Sequence, residues 1–414
     1  MTELGSLLRI RDFRCLWSAQ ALSDFGDSLT ALTLLILVQR LTGSTAAIAG
    51  LMVAIALPTL LFGTLSGVYV DRFDRKRAML VSDLLRAIVV LGFLFVATEE
   101  LVPFIYAIAF LQATIGTVFN PARAAFLPRI VSRERLLAAN SVSQTTRIVF
   151  NLLGTGAAAV LAAAGDSLAP AFVVDSATFL LSFLLIGRIR TSGAPETTGR
   201  ESTRVWIDMK AGFGVMATSR PLRAVLISLS VTMLGLGAVN VLFVPFLLED
   251  LTVSEAFLGA IEASQVAGLV ISGTVVAVLA ARLRPSSLVS AGLVGVGVFV
   301  AAVSGADAVW QVMVLLFLVG LSVGPVQAGA NTLSQTLIDD SMRGRVGGAV
   351  STLISAANVI SMGLAGVAAA SIGTRNVFLA SGGVVLVAGM LAFWLFRELR
   401  VGSARPTQPA PETA

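Results

Sequence analysis

With 414 residues, 56% hydrophobic and 13% charged, and a mean hydropathy of +0.90, the chain is too apolar for a water-soluble domain. The single cysteine, Cys15, excludes an internal disulfide and a cysteine-cluster metal site, and the absence of histidine removes imidazole as metal ligand or proton relay. The formal charge of +5 could point to nucleic acid, but the cations fall in short loops between apolar runs, so a bilayer is the expected partner and nucleic acid is not.

Residues 1–14 hold basic residues but no apolar core or cleavage site of a secretory signal, and are expected to form an amphipathic lead at the cytoplasmic surface. Twelve apolar runs follow, each near the ~20 residues a helix needs to cross the hydrocarbon core. They are Cys15–Val38, Ala46–Val70, Ala78–Ala97, Val102–Pro121, Leu137–Ala164 and Leu168–Ile186, then Arg223–Leu247, Phe257–Ala280, Ser287–Ser304, Val309–Thr332, Val346–Ile372 and Asn376–Phe396. The polar stretch 188–222 separates them into two six-helix halves, 15–187 and 223–397. The proline-rich tail 398–414 is expected to be disordered.

Placing both termini and every second loop in the cytoplasm accounts for all but four of the 29 basic residues; Arg40, Arg86, Arg147 and Arg375 are the exceptions. So lopsided a distribution predicts that both ends are inside. The halves also repeat weakly. A shift of about 210 residues sets Gly63 on Gly273 and Arg72 on Arg282, while the fifth and eleventh runs align near Gly154 and Gly363. Nothing in the second copy corresponds to Asp71.

Between the second and third runs stands Gly67-Val68-Tyr69-Val70-Asp71-Arg72-Phe73-Asp74-Arg75-Lys76. Its Gly-x-x-x-Asp-Arg-x-x-Arg-Lys spacing resembles the signature of the major facilitator superfamily, with Asp74 where that signature has glycine. The resemblance implies an all-α membrane protein of twelve helices in two six-helix halves related by an axis along the membrane normal. It also implies a cytoplasmic gate built from Gly67, Asp71, Arg72, Arg75 and Lys76. Asp71 would meet the positive N-terminus of a helix from the other half, while the cations meet carboxylates or phosphates.

Further stretches resemble the twelve-span drug:H+ antiporter branch that includes macrolide-efflux and enterobactin-exporter-like proteins. They are the loop Phe119–Pro128 with Leu136–Ser141, its counterpart Asp340–Val346, Ser23–Ser28 and Asp175–Phe179. The fifth run carries Gly154-Thr155-Gly156 without the proline common in exporters; its small residues still permit close helix approach. The resemblance implies a monomeric exporter of amphipathic small molecules at the cytoplasmic membrane, coupled to protons and needing no cofactor or metal.

A charge at the bilayer centre costs roughly 2.5–3.5 kcal/mol on insertion scales, so charged residues inside the runs need a reason. Asp24, Asp27, Arg147, Asp175 and Glu262 are the candidates for proton coupling. Asp27 and Arg147 each lie about ten residues from the cytoplasmic start of their runs, so similar depth is expected and Arg147 is taken as the counter-charge. A fixed ion pair joining the two helices is the competing role. Asp24 could be solvated, Glu262 could reach the outer interface, and Asp175 could serve as a structural hydrogen-bonding group. Asp83 and Arg86, one turn apart, are expected to pair as scaffold.

Phe25, Phe119, Phe150, Asn240, Phe243, Gln327, Asn331 and Asn358 are candidates to line an amphipathic cavity; for each, helix packing is the competing role. An exporter of lipids or siderophores, a carrier driven by another gradient, and a non-transporting receptor or scaffold are the alternatives. An enzyme is disfavoured, since no nucleophile–base constellation stands outside the apolar runs, and no phosphate-binding Gly-x-x-x-x-Gly-Lys motif is present.

Overall fold

The computed structural model describes residues 3–165, 167–194, 214, 219–280, 283–337 and 343–398. Residues 399–414 of the expected tail and most of the expected linker lie outside them, as does 340–342 of the Asp340–Val346 motif. The side chains of Gly67, Asp71 and Arg72 also lie outside the described ones, so the gate role expected of them stays an expectation.

A short α1 (Glu3–Leu8) leads into α2 (Arg11–Thr42). There follow α3 (Thr45–Arg72), α4 (Arg75–Val90, continued by a 3-10 turn over Leu91–Phe95), α5 (Val102–Gly116), α6 (Phe119–Ile130), α7 (Leu136–Ala164) and α8 (Ala169–Gly187). The second half comprises α9 (Arg220–Pro245), α10 (Leu258–Ala280), α11 (Pro285–Val303), α12 (Val309–Leu337), α13 (Arg343–Ile372) and α14 (Thr374–Glu398). Among the described residues, twelve helical stretches are long and apolar enough to cross a bilayer, and no strand occurs.

Local chemistry sets the breaks. Gly43, at φ 54°, ends α2 with its N–H on the Gln39 carbonyl, because a left-handed residue closes a helix at little cost for glycine. The Ser44 side chain then accepts from the N–H of Ala47 and starts α3. Asp74 caps α4, accepting from the Arg77 N–H at 3.0 Å. The departure from the family signature therefore has a structural use. The Phe119–Pro128 stretch, expected as a loop, is instead helical: it forms α6, with Pro128 in its last turn.

Leu7 is fully buried and packs with Phe13, Leu16, Val131 and Ile189, so α1 docks on the bundle. Lys76 donates its ammonium to the carbonyls of Gly187 (3.0 Å) and Ile189 (2.7 Å), capping the C-terminus of α8. Arg129 and the Arg75 N–H tie to residues 192–194, and Asp12 accepts from the backbone of Arg190 and Thr191. These contacts define one face of the bundle, here called the terminal face.

The halves use the same helix pairings. In the first, α2 packs on α7 and α8, α4 on α8, and α3 on α5; in the second, α9 packs on α13 and α14, α11 on α14, and α10 on α12. Between the halves, α3 meets α13 and α10 meets α7, again equivalent pairs. Without a hydrophobic driving force inside lipid, such pairs depend on close backbone approach. At Gly268 an added Cβ would lie 2.0 Å from the Phe317 carbonyl oxygen, and at Gly320 it would lie 2.0 Å from that of Gln265. The seam between α10 and α12 is thus glycine-dependent from both sides.

Candidate functional site

A cavity of about 760 Å³ lies between α2, α3, α4, α5 and α6 of the first half and α13 of the second. Its wall runs along α2 from Gln20 to Leu34, and along α13 from Gly348 to Ser355, near the start of that helix. The α2 stretch is central in its helix, while the α13 stretch and Gly63 and Ser66, late in α3, lie toward the terminal face, so the cavity extends to that side. At the opposite face the halves touch: Gly366 packs on Ala46, and Gly259 on Gly156.

Asp24 and Asp27, one turn apart on α2, both reach the cavity. Asp27 forms an ion pair with Arg86 of α4, not with Arg147. The correction has a packing cause. α2 lies against α8, which α4 also packs on, and this brings Arg86 to the depth of Asp27. Arg86 is set in place by three neighbours. Its guanidinium carbon stands 4.1 Å from the centre of the Phe179 ring, and a Cβ at Gly116 would come within 3.6 Å of it. The Arg86 side chain is 9% exposed, whereas that of Asp27 is 43% exposed. Both side chains line the cavity, and the carboxylate is the more open of the two.

Arg147 is exposed. One oxygen of Asp24, Oδ2, has no hydrogen-bond partner among the described residues. One helical turn away, Gln20 accepts from Arg123 at 2.9 Å. Asp83, expected to pair with Arg86, accepts from the Ser182 hydroxyl at 2.5 Å.

Asp175 is fully buried and does not reach the cavity wall. It accepts from Thr30 at 2.6 Å and Thr178 at 3.3 Å, and a Cβ at Gly26 would come within 2.2 Å of its Oδ1. Those contacts place it in the α2–α8 seam. Glu262 sits at the other inter-half seam, hydrogen-bonded to Thr155.

Of the aromatic and amide candidates, only Phe119 lines this cavity. Phe25 and Phe243 pack against the main apolar core, and Phe150 is half-buried. Asn240, Gln327 and Asn331 are exposed, while Asn358 reaches toward the Met362 sulfur at 3.8 Å. The second half contributes Gly348, Ser351, Thr352 and Ser355. Small hydroxyl residues at this spacing share a helix face, which was the signal available for them in the sequence. Gln112 and Asn120 complete the polar wall.

The two six-helix halves, their equivalent pairings and the central cavity between them define a transporter of the major facilitator superfamily. The family profile described as "Transmembrane secretion effector" matches residues 4–412, and the chain belongs to that family. It is 24% identical over 379 residues to macrolide efflux protein A of Streptococcus pyogenes, covering 90% of this chain and 93% of that protein. It is 28% identical over 395 residues to the multidrug efflux pump Tap of Mycobacterium tuberculosis, covering 92% and 93%. Among solved structures, a bacterial homologue of the human lysosomal transporter Spinster, inward-facing and unoccupied, matches with a TM-score of 0.75 at 13% identity, over 96% of this chain and 99% of that one. A bacterial homologue of the iron transporter ferroportin, in an inward-facing state, matches with 0.73 at 16%, over 94% and 99%. The chain is a multi-pass membrane transporter and not an enzyme.

Proposed function

We propose that this transporter exports amphipathic small molecules across the cytoplasmic membrane by proton antiport, through alternating access, and that Asp27 carries the proton. The observation that carries the reading is the Asp27–Arg86 pair in the cavity wall. A carboxylate facing the cavity can exchange a proton with it, while the guanidinium behind it is held by Phe179 and Gly116. Protonation of Asp27 cancels one partner of the pair and frees Arg86, so that loading a proton changes how α2 is held to α4. An amphipathic substrate is supported by a wall that sets Leu34, Ile55, Phe93 and Phe119 beside hydroxyl and amide side chains such as Ser351, Thr352, Gln112 and Asn120, which suits a molecule with both an apolar body and polar groups. Efflux is also the activity named for the two relatives in Streptococcus pyogenes and Mycobacterium tuberculosis.

The cationic loops lie on the terminal face, and the positive-inside rule makes that face cytoplasmic. The cavity then opens inward, in a monomer that has closed its outer side. The test is accumulation of a panel of lipophilic drugs in an efflux-deficient host, with and without a protonophore. Lower accumulation that the protonophore abolishes is the expected result. Efflux indifferent to the protonophore removes the proton, and an unchanged panel with export of a single metabolite narrows the substrate class.

A further inference from the structure

Between α9 and α10, residues 246–257 depart from regular helix in three successive ways. Phe246–Asp250 is a π-helical turn, Thr252 adopts a left-handed backbone with φ 48°, and Glu255–Phe257 is a 3-10 turn. Single π-turns gather at functional positions. A β-branched residue in the left-handed region is strained, and such strain persists only where the surroundings hold it.

The surroundings here come from two directions. From its own half, Phe246, Leu247 and Val253 anchor the segment in the apolar core, and the Val253 N–H bonds the Leu247 carbonyl at 2.9 Å. From the other half, the last turn of α2 supplies two consecutive polar residues. Gln39 donates to Glu249, and Arg40 pairs with Glu255, its Nε lying 3.0 Å from Oε1. Arg40 also donates to the Ala162 carbonyl at 2.7 Å, so its head group belongs to the first half while its charge is answered by the second.

We propose that residues 246–257 form a strap that closes the face opposite the termini by clasping Gln39 and Arg40, and that release of the Arg40–Glu255 pair opens that face during transport. The proposal rests on the alternating-access part of the reading above. The strap reaches across at the level where α7 and α10 touch through Gly156 and Gly259. Parting the halves there must break both of its polar contacts, and the backbone strain at Thr252 then has nothing across the interface opposing its relaxation.

The test reads opening, not transport. In a Cys15→Ser background, Ala159→Cys introduces a thiol beside the α7–α10 seam; Ala159 is 1% exposed and stands 3.7 Å from a Cβ built at Gly259. Maleimide labelling is followed in nanodiscs, where both faces meet the reagent. Adding Glu255→Gln should speed labelling about two- to fivefold, the range expected of one partly exposed ion pair. The charge swap Arg40→Glu with Glu255→Arg should return the rate toward the parent. An unchanged rate in a folded Glu255→Gln protein overturns the strap. Should that variant fail gel filtration, Glu249→Ala, which removes the acceptor of Gln39, carries the same expectation, with the same overturning result. A parent chain that moves no drug yet shows the acceleration would remove the functional reading and leave the strap standing.

Discussion

Asp27 and Arg86, 59 residues apart on α2 and α4, form an ion pair in the cavity wall in which the carboxylate is the more open member and the guanidinium the more deeply held. Position along the helix suggested Arg147 as the partner; packing decided otherwise. Depth can be counted from the start of an apolar run, but the direction a side chain takes around the helix depends on which neighbour the helix packs against. Arg86 was visible as a charge inside the third run, and its neighbour Asp83, one turn away, offered a local partner that Ser182 takes in its place.

The first expectation follows directly. Arg86→Gln should reduce protonophore-sensitive drug efflux by more than about tenfold, because Asp27 loses the charge that makes its proton exchange matter. Its stability cost should stay well below the ~3–5 kcal/mol of breaking a fully buried pair, since the 43% exposure of Asp27 lets water answer the remaining charge. Arg86→Lys keeps the charge but loses the planar stacking on Phe179, so partial efflux is expected. Drug accumulation with matched membrane expression measures the two efflux effects, and thermal unfolding in detergent measures the stability cost. Wild-type efflux in Arg86→Gln would remove the pair from the mechanism.

Two glycines, two residues apart on α7, should respond oppositely to alanine. A Cβ at Gly154 would come 2.3 Å from the Phe25 carbonyl oxygen, which is backbone and cannot swing away; at Gly156 it meets nothing within 4 Å. Gly154→Ala should therefore cost about 1–3 kcal/mol as overpacking in the α2–α7 seam. Gly156→Ala should be close to neutral. Thermal unfolding in detergent checks the contrast, and equal melting temperatures for the two variants would contradict the close approach described.

The twelve spans and their division into halves were legible because hydrocarbon thickness leaves a long apolar run little other use. A close helix approach was legible too in the small residues from Gly154, and Gly154 does meet α2 closely, but the run itself did not say which helix it would meet. The cavity was read less well. Its second-half wall is made of Ser351, Thr352 and Ser355, hydroxyl residues that pass for ordinary helix packing in a sequence, whereas the more conspicuous Asn240, Gln327 and Asn331 lie outside it. α6 escaped notice for a different reason: Pro121 and Pro128 suggest a loop, yet one stands in its first turn and the other in its last.

Asp74 gives a small and separable effect. Its side chain satisfies the Arg77 N–H at the start of α4, so Asp74→Ala should lower stability by about 1 kcal/mol. Asp74→Gly, which restores the superfamily signature, should cost only a few tenths, glycine being tolerated at a helix start. Melting temperatures rank the three proteins. A larger loss for glycine than for alanine would show that the cap is not what Asp74 provides.

Asp175 separates structural from coupling acids. It is buried with two threonine hydroxyls, and Thr30 has the Asp175 carboxylate as its hydrogen-bond acceptor across the α2–α8 seam. Asp175→Asn keeps an oxygen in place to accept from one of them, so a loss of about 1 kcal/mol is expected, near the net value of one hydrogen bond. Asp175→Leu leaves the Thr30 hydroxyl buried without that partner and crowds Gly26, so it should cost more, about 1–3 kcal/mol for the orphaned hydroxyl alone. In both variants the protein that folds should export drugs with the pH dependence of the parent, because neither change touches the Asp27–Arg86 pair. Initial efflux rates across external pH, normalised to folded protein, carry the comparison with Asp27→Asn, where the pH dependence should flatten. A flattened profile in Asp175→Asn, with Asp27 intact, would transfer the proton-carrying role from Asp27 to Asp175.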